Sequence, residues 1–543
     1  MNSARNPSHD ELSVALEDAD LRVLLMCLFH LTGDSKWLEH PYQPIRDVKL
    51  IADRDAGFSP ALQREIRDSA YKLLRPGAPS PVIVRPTHDL LHRMMNTCLG
   101  ENVDAAYVPL MAEDSGLSPD DARWRTRPSE ADLRRTSVLI VGAGVSGIAI
   151  AIKLRQLGVA FRVVEKNPSV GGTWYENRYP GCGVDTPNHF YCYSFAPNHG
   201  WSHYFSPATE IEAYLEACVD NFGIRTSISL NTRLTGAEWD DASSVWRARL
   251  VGPDGPEVAE ASILVTAIGQ FNEPAVPSIA GIGDFGGIEF HSAQWPDDVD
   301  LSDKDVAVIG TGASAMQFVP NIVDLVSSLT IYQRSPQWCR PIPAYKEHVK
   351  PGTQWLLENV PFYAAWNRFT LFWRYGDHLL RFLRKDPDWP FPDRSLNRVN
   401  DRHRQELIDY IHSELGDRVD LLPACLPDYP PYGKRMLIDN GWYGALQKPG
   451  VCLVVDGIDK VLKDGIVTEN GEFRPADVIV LATGFKVTDL SARLGIIGRD
   501  EKSLADAWAN DNPTAYLGMT VPGFPNMFIM YGPNTNLAHG GSM

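Results

Sequence analysis

The chain has 543 residues and a mass of 60.3 kDa, too long for a single hydrophobic core, so several domains are predicted. Hydrophobic residues make up 44% and charged residues 22%, which is typical of a soluble globular protein and argues against wholesale disorder. The net charge of −17 excludes a global attraction to nucleic acid or to anionic membrane, so any bound phosphate must be held by local basic groups and backbone N–H donors.

Residues 1–135 are predicted to form an α-helical N-terminal extension. Leucines recur at three- and four-residue spacings, which predicts one buried helix face; they are Leu21, Leu24, Leu25, Leu28 and Leu31. No residue pattern here indicates chemistry, so we interpret the extension as a packing or dimerisation element and Glu130–Arg135 as a linker. The first residues lack the apolar core of a signal peptide, and Val23–Phe29 is too short to span a bilayer. These features predict a cytoplasmic protein with no membrane partner.

Residues 136–284 open with a strand, a glycine turn, a helix, a second strand and an acidic residue. The strands are predicted at Ser137–Val141 and Phe161–Val164, with a helix at Ile148–Leu157 between them. An apolar run as short as the first one is typical of a strand that is buried on both faces of a parallel sheet.

The turn between this strand and helix has the spacing of a dinucleotide-binding motif. Gly142 permits the tight turn, Gly144 lets the backbone approach a pyrophosphate, and Gly147 allows close packing of helix on strand. The helix N-terminus offers free N–H groups and a positive dipole to the phosphates. Glu165 follows at the spacing of the carboxylate that binds ribose hydroxyls.

The same order returns in residues 301–470. A strand at Val306–Ile309 leads into a second glycine turn, a helix to about Val326 and a strand at Leu329–Gln333. In this turn Gly310 and Gly312 keep their places, and Ala315 stands where the third glycine would be, which is an accepted alternative.

The residue after the last strand of the second unit is Arg334, where the first unit has an acid. A carboxylate would repel a 2′-phosphate, whereas a guanidinium binds one, so the second site is predicted to prefer NADPH. Two sites with opposite charge preference imply two dinucleotides, and the usual chemical partnership is FAD reduced by NADPH.

The cysteines argue against other redox chemistry. The chain has eight cysteines and no Cys-x-x-Cys pair, which disfavours a disulfide scaffold, a structural zinc site and a redox dithiol. Cys182 and Cys192 lie ten residues apart, which does not match the cysteine pair of a flavin disulfide reductase. We expect the cysteines to be small buried hydrophobic residues.

The rest of the chain completes the predicted architecture. Residues 345–426 form an aromatic-rich helical insertion in the second unit, whose aromatic residues are more typical of a core than of a substrate pocket. Residues 471–543 are assigned to the returning part of the first domain, with 285–300 as a linker between the two. The predicted fold class is α/β, with two Rossmann-like dinucleotide-binding domains for FAD and NADPH, the helical insertion and the N-terminal extension.

Two longer patterns resemble a known family. The segment from Phe285 to Pro296 fits F-x-G-x-x-x-H-x-x-x-W-P, and the segment from Gly171 to Asp185 fits G-G-x-W-x-x-x-x-Y-P-G-x-x-x-D. Both are similar to signatures of the type I Baeyer–Villiger monooxygenases, and the resemblance covers residue 136 to the end. The helical extension resembles the 4-hydroxyacetophenone monooxygenase branch.

The resemblance implies a flavin C4a-peroxide that attacks a ketone and must remain deprotonated, so a fixed positive group is needed near it. The match to the family's motif places that group at Arg435, with Asp185 as the carboxylate that positions it and Lys434 as a contact to the nicotinamide cofactor. His291, predicted as a further catalytic-site residue, corresponds to the fingerprint histidine, which we interpret as a conformational or NADPH-positioning group.

The resemblance also implies most of the cofactor contacts. Ser146, Glu165, Trp174 and Tyr191 match flavin-contacting positions of the family. The remaining residues predicted to bind a cofactor are Thr173, Thr311, Ala313, Ser314 and Ser335.

The resemblance therefore implies insertion of one atom of O2 beside the carbonyl of a small-molecule ketone, and the branch resemblance implies an aryl ketone. The expected assembly is a homodimer with no nucleic-acid partner. An N- or S-oxygenating flavin monooxygenase and a catalytically inactive flavoprotein remain alternatives. Family members continue beyond the turn that ends this chain at Met543, so we expect either a fragment or a truncated protein.

Overall fold

The computed structural model describes residues 9–81, 83–118, 122–488, 490–509 and 512–536. The strands, in chain order, are β1 Ser137–Val141, β2 Ala160–Val164, β3 Ile228–Ser229, β4 Arg233–Asp240, β5 Val245–Gly252, β6 Gly255–Ala261, β7 Ile263–Thr266, β8 Ile288–His291, β9 Asp305–Ile309, β10 Ser328–Tyr332, β11 Cys339–Pro341, β12 Leu437–Asp439, β13 Val451–Val454, β14 Ile458–Leu462, β15 Gly465–Thr468, β16 Phe473–Pro475, β17 Val478–Leu481, β18 Ile496–Ile497 and β19 Met527–Ile529.

The α-helices separate into three groups. The extension contains α1 His9–Glu17, α2 Leu21–Thr32, α3 Pro60–Leu74, α4 His88–Leu99, α5 Val108–Asp114 and α6 Glu130–Arg135. The helices associated with the sheets are α7 Val145–Leu157, α8 Thr173–Glu176, α9 Ala208–Asn221, α10 Ala313–Ile322, α16 Trp442–Leu446 and α17 Leu504–Ala507. Between them, the insertion contributes α11 Pro351–Asn359, α12 Tyr363–Tyr375, α13 Leu380–Leu383, α14 Arg398–Leu415 and α15 Leu422–Cys425.

Two parallel five-stranded sheets carry the predicted units. The first has the order β19-β7-β1-β2-β3 and the second the order β13-β10-β9-β17-β8. In each sheet the strand before the glycine turn, β1 or β9, is central and almost wholly buried, as expected for an apolar strand covered on both faces. The predicted α/β class with two Rossmann-like units is thus the observed one.

Two strands of the second half, β8 and β17, lie in a sheet that the predicted boundaries do not suggest for them. β17 falls within residues 471–543, but it pairs with β9 and β8 in the second sheet. β8 falls within the predicted linker and forms the edge of that same sheet. Among the described residues of 471–543, β19 is the strand that pairs in the first sheet, beside β7. All four residues of β17 are buried, as expected for an apolar strand that has a neighbour on each side.

The extension and the insertion share one hydrophobic core. α2 is buried on every side from Leu21 to Leu31, so the prediction of a single buried face was wrong. Aromatic side chains of α12 belong to the same core: Trp366 and Phe369 are buried in it, and the Trp366 ring lies 6.2 Å from the ring of His30 in α2. The insertion's aromatic residues therefore form core, as their spacing favoured.

The segment predicted as a linker, Glu130–Arg135, is the helix α6. Its start is fixed by Ser129, whose hydroxyl accepts a hydrogen bond from the backbone N–H of Asp132 at 3.1 Å. Acidic residues lie in its first turn and basic residues in its last, which favours the helix dipole. The prediction of a linker was therefore wrong, because the charges of this segment stabilise a short helix.

The cysteines and the apolar helices bear on the predictions about disulfides and membrane spans. All eight cysteines are unpaired, and Cys182 and Cys452 are half-buried while the others are buried. Within the described ranges, no helix has both the length and the apolar character needed to cross a membrane.

Candidate functional site

The first glycine turn is shaped by backbone contacts that exclude side chains. Gly142 has φ of +103°, and a β-carbon on it would lie 2.7 Å from the carbonyl oxygen of Ala267. A β-carbon on Gly147 would overlap the carbonyl oxygen of Gly142. Gly144 caps α7 without a side-chain hydrogen bond, so the helix N–H groups in the first turn, including that of Ser146, keep the free donors that a phosphate requires.

Glu165 lies at the carboxyl end of β2, directly beside this turn. Its carboxylate accepts hydrogen bonds from the backbone N–H groups of Ala143 at 2.7 Å and Asn167 at 2.9 Å. The side chain is buried, and burial raises the pKa of Glu165 although both amides favour the charged form. The carboxylate thus joins the end of the strand to the glycine turn, where a ribose next to the phosphates would be bound.

An aromatic pair borders the same region. The indole N–H of Trp174, in α8, donates to the hydroxyl of Tyr191 at 3.2 Å, and the rings meet edge to face at 5.7 Å. Burial raises the pKa of Tyr191 to about 12, so its hydroxyl keeps its proton at neutral pH. Thr173 is the first residue of α8. The donors and rings fit a flavin dinucleotide in chemical type.

The second glycine turn is crowded at Gly310 and open at Gly312. Gly310 has φ of +111°, and a β-carbon there would overlap the carbonyl oxygen of Ala482. A β-carbon on Gly312 would meet no atom within 4 Å in the described chain, although this residue begins the uncapped helix α10. Ala315, which stands at the position of the third glycine, is fully buried in that helix, so the structure accommodates its methyl group. Ala313 and Ser314 supply the first backbone N–H groups of α10.

Three residues predicted to bind NADPH converge after β10. The hydroxyl of Thr311 donates to the carbonyl oxygen of Ser335 at 3.3 Å. The ammonium of Lys434 donates to the hydroxyl of Ser335 at 2.7 Å and lies 4.7 Å from the ring centre of Tyr429. Arg334 is exposed beside them and forms no ion pair with any residue that the structure describes. Two cationic side chains thus flank a turn with free backbone donors, which fits a phosphorylated nicotinamide dinucleotide.

Arg435 and Asp185 form the predicted ion pair. One terminal nitrogen of the guanidinium contacts both carboxylate oxygens at 2.7 Å, although 250 residues separate the two in the chain. The Arg435 side chain is 58% exposed and that of Asp185 26%, so the guanidinium has donors left for a ligand. The negative charge of Asp185 raises the pKa of Arg435, which keeps it cationic at any working pH.

His291 is placed by a different element, the strand β8. It ends β8, is 3% exposed, and its Nδ1 accepts a hydrogen bond from the backbone N–H of Ala293 at 3.1 Å. Burial lowers the pKa of His291, so the neutral ring, packed against Phe485, stabilises the turn after the strand. No hydrogen bond in the described part of the chain joins it to Asp185 or Arg435.

The loop of Asp185 is held in place by a residue that no sequence motif pointed to. Gln317, in α10, forms hydrogen bonds to Tyr179, Gly183 and Tyr345. A signal was present, because a glutamine stands between Met316 and Phe318 in a helix whose other buried side chains are apolar.

Comparison with known proteins gives two matching family models. One, described as an NAD(P)-binding Rossmann-like domain, matches residues 140–207. The other, described as pyridine nucleotide-disulphide oxidoreductase, matches residues 254–365. The two models cover the first and second glycine turns respectively.

Among curated proteins, the chain is 40% identical over 540 residues to uncharacterized monooxygenase y4iD of Sinorhizobium fredii, covering 98% of this chain and 80% of that protein. It is 38% identical over 423 residues to a Baeyer-Villiger monooxygenase of Pseudomonas aeruginosa, covering 76% of this chain and 75% of that protein.

Among solved structures, cyclohexanone monooxygenase with bound epsilon-caprolactone superimposes with a TM-score of 0.64 at 28% identity, covering 73% of this chain and 83% of that one. A complex of OTEMO with FAD and NADP gives a TM-score of 0.62 at 29% identity, covering 73% and 80%.

Proposed function

The chain belongs to the type I Baeyer–Villiger monooxygenases, FAD- and NADPH-dependent flavoenzymes, and we propose that it inserts one atom of O2 beside a ketone carbonyl to give an ester or lactone. NADPH and a proton supply the reducing equivalents, and the second oxygen atom leaves as water. The observation that carries this proposal is the Arg435–Asp185 pair.

Bound FAD, reduced by NADPH, supplies the oxygen-transfer chemistry. In the proposal, the first glycine turn, Glu165 and the Trp174–Tyr191 pair bind FAD, because they combine free N–H donors, a carboxylate and aromatic rings. The second turn with Arg334 and Lys434 binds NADPH, because its charge is positive where the first site is negative.

Arg435 is proposed to stabilise the anion that attacks the ketone. A guanidinium suits this task because it does not give up a proton, so it cannot quench a neighbouring anion. Asp185 holds it through both carboxylate oxygens, which fixes the direction of the remaining donors before the anion forms. Donors that are already in place when the charge develops stabilise it without reorganisation.

We propose an aryl ketone as the substrate and a homodimer as the assembly. Both rest on the helical extension, which resembles the 4-hydroxyacetophenone monooxygenase branch and whose core is continuous with the insertion. A panel of aryl, alicyclic and linear ketones tests the first, and the mass of the protein in solution tests the second.

The decisive experiment replaces Arg435 by Ala and measures FAD content, anaerobic flavin reduction by NADPH, and ester formation. Binding and reduction are expected to persist, while ester formation falls by at least about 100-fold, as for other lost anion-stabilising donors. The matched control is Arg394→Ala, since Arg394 forms a similar paired contact with Asp401 at 2.8 and 2.9 Å outside the site. Ester formation retained by the Arg435 variant would remove it from the mechanism.

The same assay separates the alternatives. Wild-type protein is given a ketone, an amine and a sulfide in turn, with NADPH and air. Ester supports oxygen insertion, whereas N- or S-oxide as the only product would identify an N- or S-oxygenating enzyme. NADPH oxidation with no organic product, or none at all, would identify an inactive flavoprotein.

A further inference from the structure

The loop that carries Asp185 belongs to the first unit in sequence but is anchored in the second. Tyr179, at its start, is 8% exposed and lies in the hydrophobic core of the second sheet, with its ring 6.2 Å from that of Phe318 in α10. Gly181 has φ of +77°, and a β-carbon on it would overlap the side-chain amide of Asn321. The loop is therefore in direct contact with α10 and has no room to shift towards it.

A single side chain, Gln317, completes this attachment. Its amide oxygen accepts from the hydroxyl of Tyr179 at 2.9 Å and from the backbone N–H of Gly183 at 3.4 Å. Its amide nitrogen donates to the carbonyl oxygen of Gly183 at 2.9 Å and to the hydroxyl of Tyr345 at 3.2 Å. The side chain is nearly buried, and a buried amide whose donors and acceptor are all used permits one geometry of its partners.

We propose that Gln317 is a positioning residue for the Asp185–Arg435 pair. It holds both backbone polar groups of Gly183, two residues before Asp185, and it projects from the helix that begins at Ala313 in the predicted NADPH site. Through these hydrogen bonds, α10, which begins in the proposed NADPH site, fixes the position of the Asp185 carboxylate that orients Arg435. This inference rests on the proposed function, which gives Arg435 its role.

The position of Arg435 is expected to decide whether the O2 that is consumed gives ester or H2O2. With a ketone, O2, NADPH and one proton give ester, NADP+ and water; without productive transfer, the same NADPH, proton and O2 give NADP+ and H2O2. A guanidinium held in place favours the first course because it stabilises the attacking anion against protonation. A displaced Arg435 guanidinium favours formation of H2O2. Hydride transfer from NADPH to the flavin does not depend on the position of this guanidinium.

The test is Gln317→Leu, which removes all four hydrogen bonds at similar volume. FAD content, thermal midpoint, anaerobic flavin reduction and ketone-free NADPH oxidation to H2O2 are measured. We expect H2O2 formation to rise by about three- to tenfold, the equivalent of about one lost hydrogen bond, with flavin reduction changed by less than about twofold. The matched control is Gln354→Leu. Gln354 lies in α11, and its side-chain amide donates to the carbonyl oxygen of Trp201 at 2.7 Å.

A second variant distinguishes positioning from mere packing. Gln317→Glu keeps the acceptor oxygen, and when its carboxyl is protonated it regains a donor towards Gly183. H2O2 formation in this variant is therefore expected to approach the wild-type level as the pH is lowered, relative to the leucine variant at each pH. If the leucine variant fails to fold, Tyr179→Phe removes one donor to the same amide and is expected to shift the partition in the same direction.

The outcomes separate this inference from the proposed function. Ester formation by wild type with unchanged H2O2 formation in the leucine variant, or in Tyr179→Phe where the leucine variant does not fold, overturns the role of Gln317 alone. A wild type that makes no ester from any ketone, together with raised H2O2 formation in the variant, overturns oxygen insertion and leaves the positioning role intact. Slower flavin reduction in proportion to the change in H2O2 would also refute the inference.

Discussion

Replacing Arg334 by Ala is expected to change which nicotinamide cofactor the enzyme prefers. The guanidinium is exposed and has no ion-pair partner in the described ranges, so its removal leaves no buried charge unpaired and creates no cavity. The variant therefore isolates the contact between Arg334 and the 2′-phosphate that distinguishes NADPH from NADH.

The size of the effect follows from the neighbouring cation. A hydrogen bond to a charged group contributes about 1.5–3 kcal/mol. Lys434 remains 2.7 Å from the hydroxyl of Ser335 and retains part of the positive charge, so the lower end of that range applies. At about 1.4 kcal/mol per factor of ten, kcat/KM for NADPH should fall by about 10- to 30-fold, while NADH changes by less than about twofold because it has no 2′-phosphate.

The assay is initial-rate NADPH and NADH oxidation at saturating ketone, with kcat/KM determined for each cofactor. The control is Arg402→Ala on α14, a 75% exposed arginine in a surface ion pair with Glu406, for which no change is expected. An equal loss with both cofactors would mean that Arg334 supports the fold of the second unit rather than reading the 2′-phosphate.

Three further predictions concern the two turns and the extension. Gly147→Ala is expected to abolish FAD-loaded protein because its β-carbon would overlap the turn carbonyl, whereas Gly312→Ala, which meets no atom of the described chain, should fold normally and raise only the KM for NADPH. Glu165→Gln is expected to weaken FAD retention by about tenfold, measured by flavin release on dilution, because a charged acceptor is lost. Glu101 is half-buried, but hydrogen bonds from His378 and Trp373 outweigh the effect of that burial and lower its pKa to about 2. A folded pKa below the ordinary value stabilises the fold above about pH 4, and this stabilisation of about 2–3 kcal/mol is lost as the pH falls towards 2. Unfolding midpoints of Glu101→Gln and wild type should therefore converge in acid.

Each of these has a clear contradiction. FAD-loaded Gly147→Ala protein would show that the turn relaxes, and a destabilised Gly312→Ala protein would show that the open space is needed by the fold itself. Unchanged flavin release in the glutamine variant would leave Glu165 a purely structural link between strand and turn. A constant difference in unfolding midpoint across the pH range would mean that the Glu101 charge contributes nothing.

The local order of strand, glycine turn and helix was predictable from sequence because its causes are local. Apolar runs define β1 and β9, and the glycines at 142 and 310 are required by the positive φ of their own turns. The difference between Glu165 and Arg334 predicted two cofactors because the charge of a side chain is known from the sequence, and this charge decides whether a 2′-phosphate is repelled or bound. The errors arose where burial depends on distant partners, since the core that covers α2 includes side chains of α12, more than 300 residues further along the chain.

Sequence alone determined the two dinucleotide units, the acid and the base that distinguish them, and the family resemblance that pairs Asp185 with Arg435. Tertiary structure decided that β8 and β17 belong to the second sheet, that His291 packs against Phe485, and that Gln317 holds the loop of Asp185 through hydrogen bonds to Tyr179 and Gly183. The physical reason is that turn geometry and charge are properties of a few adjacent residues, whereas burial and hydrogen-bond partnership are set by chain segments that meet only after folding.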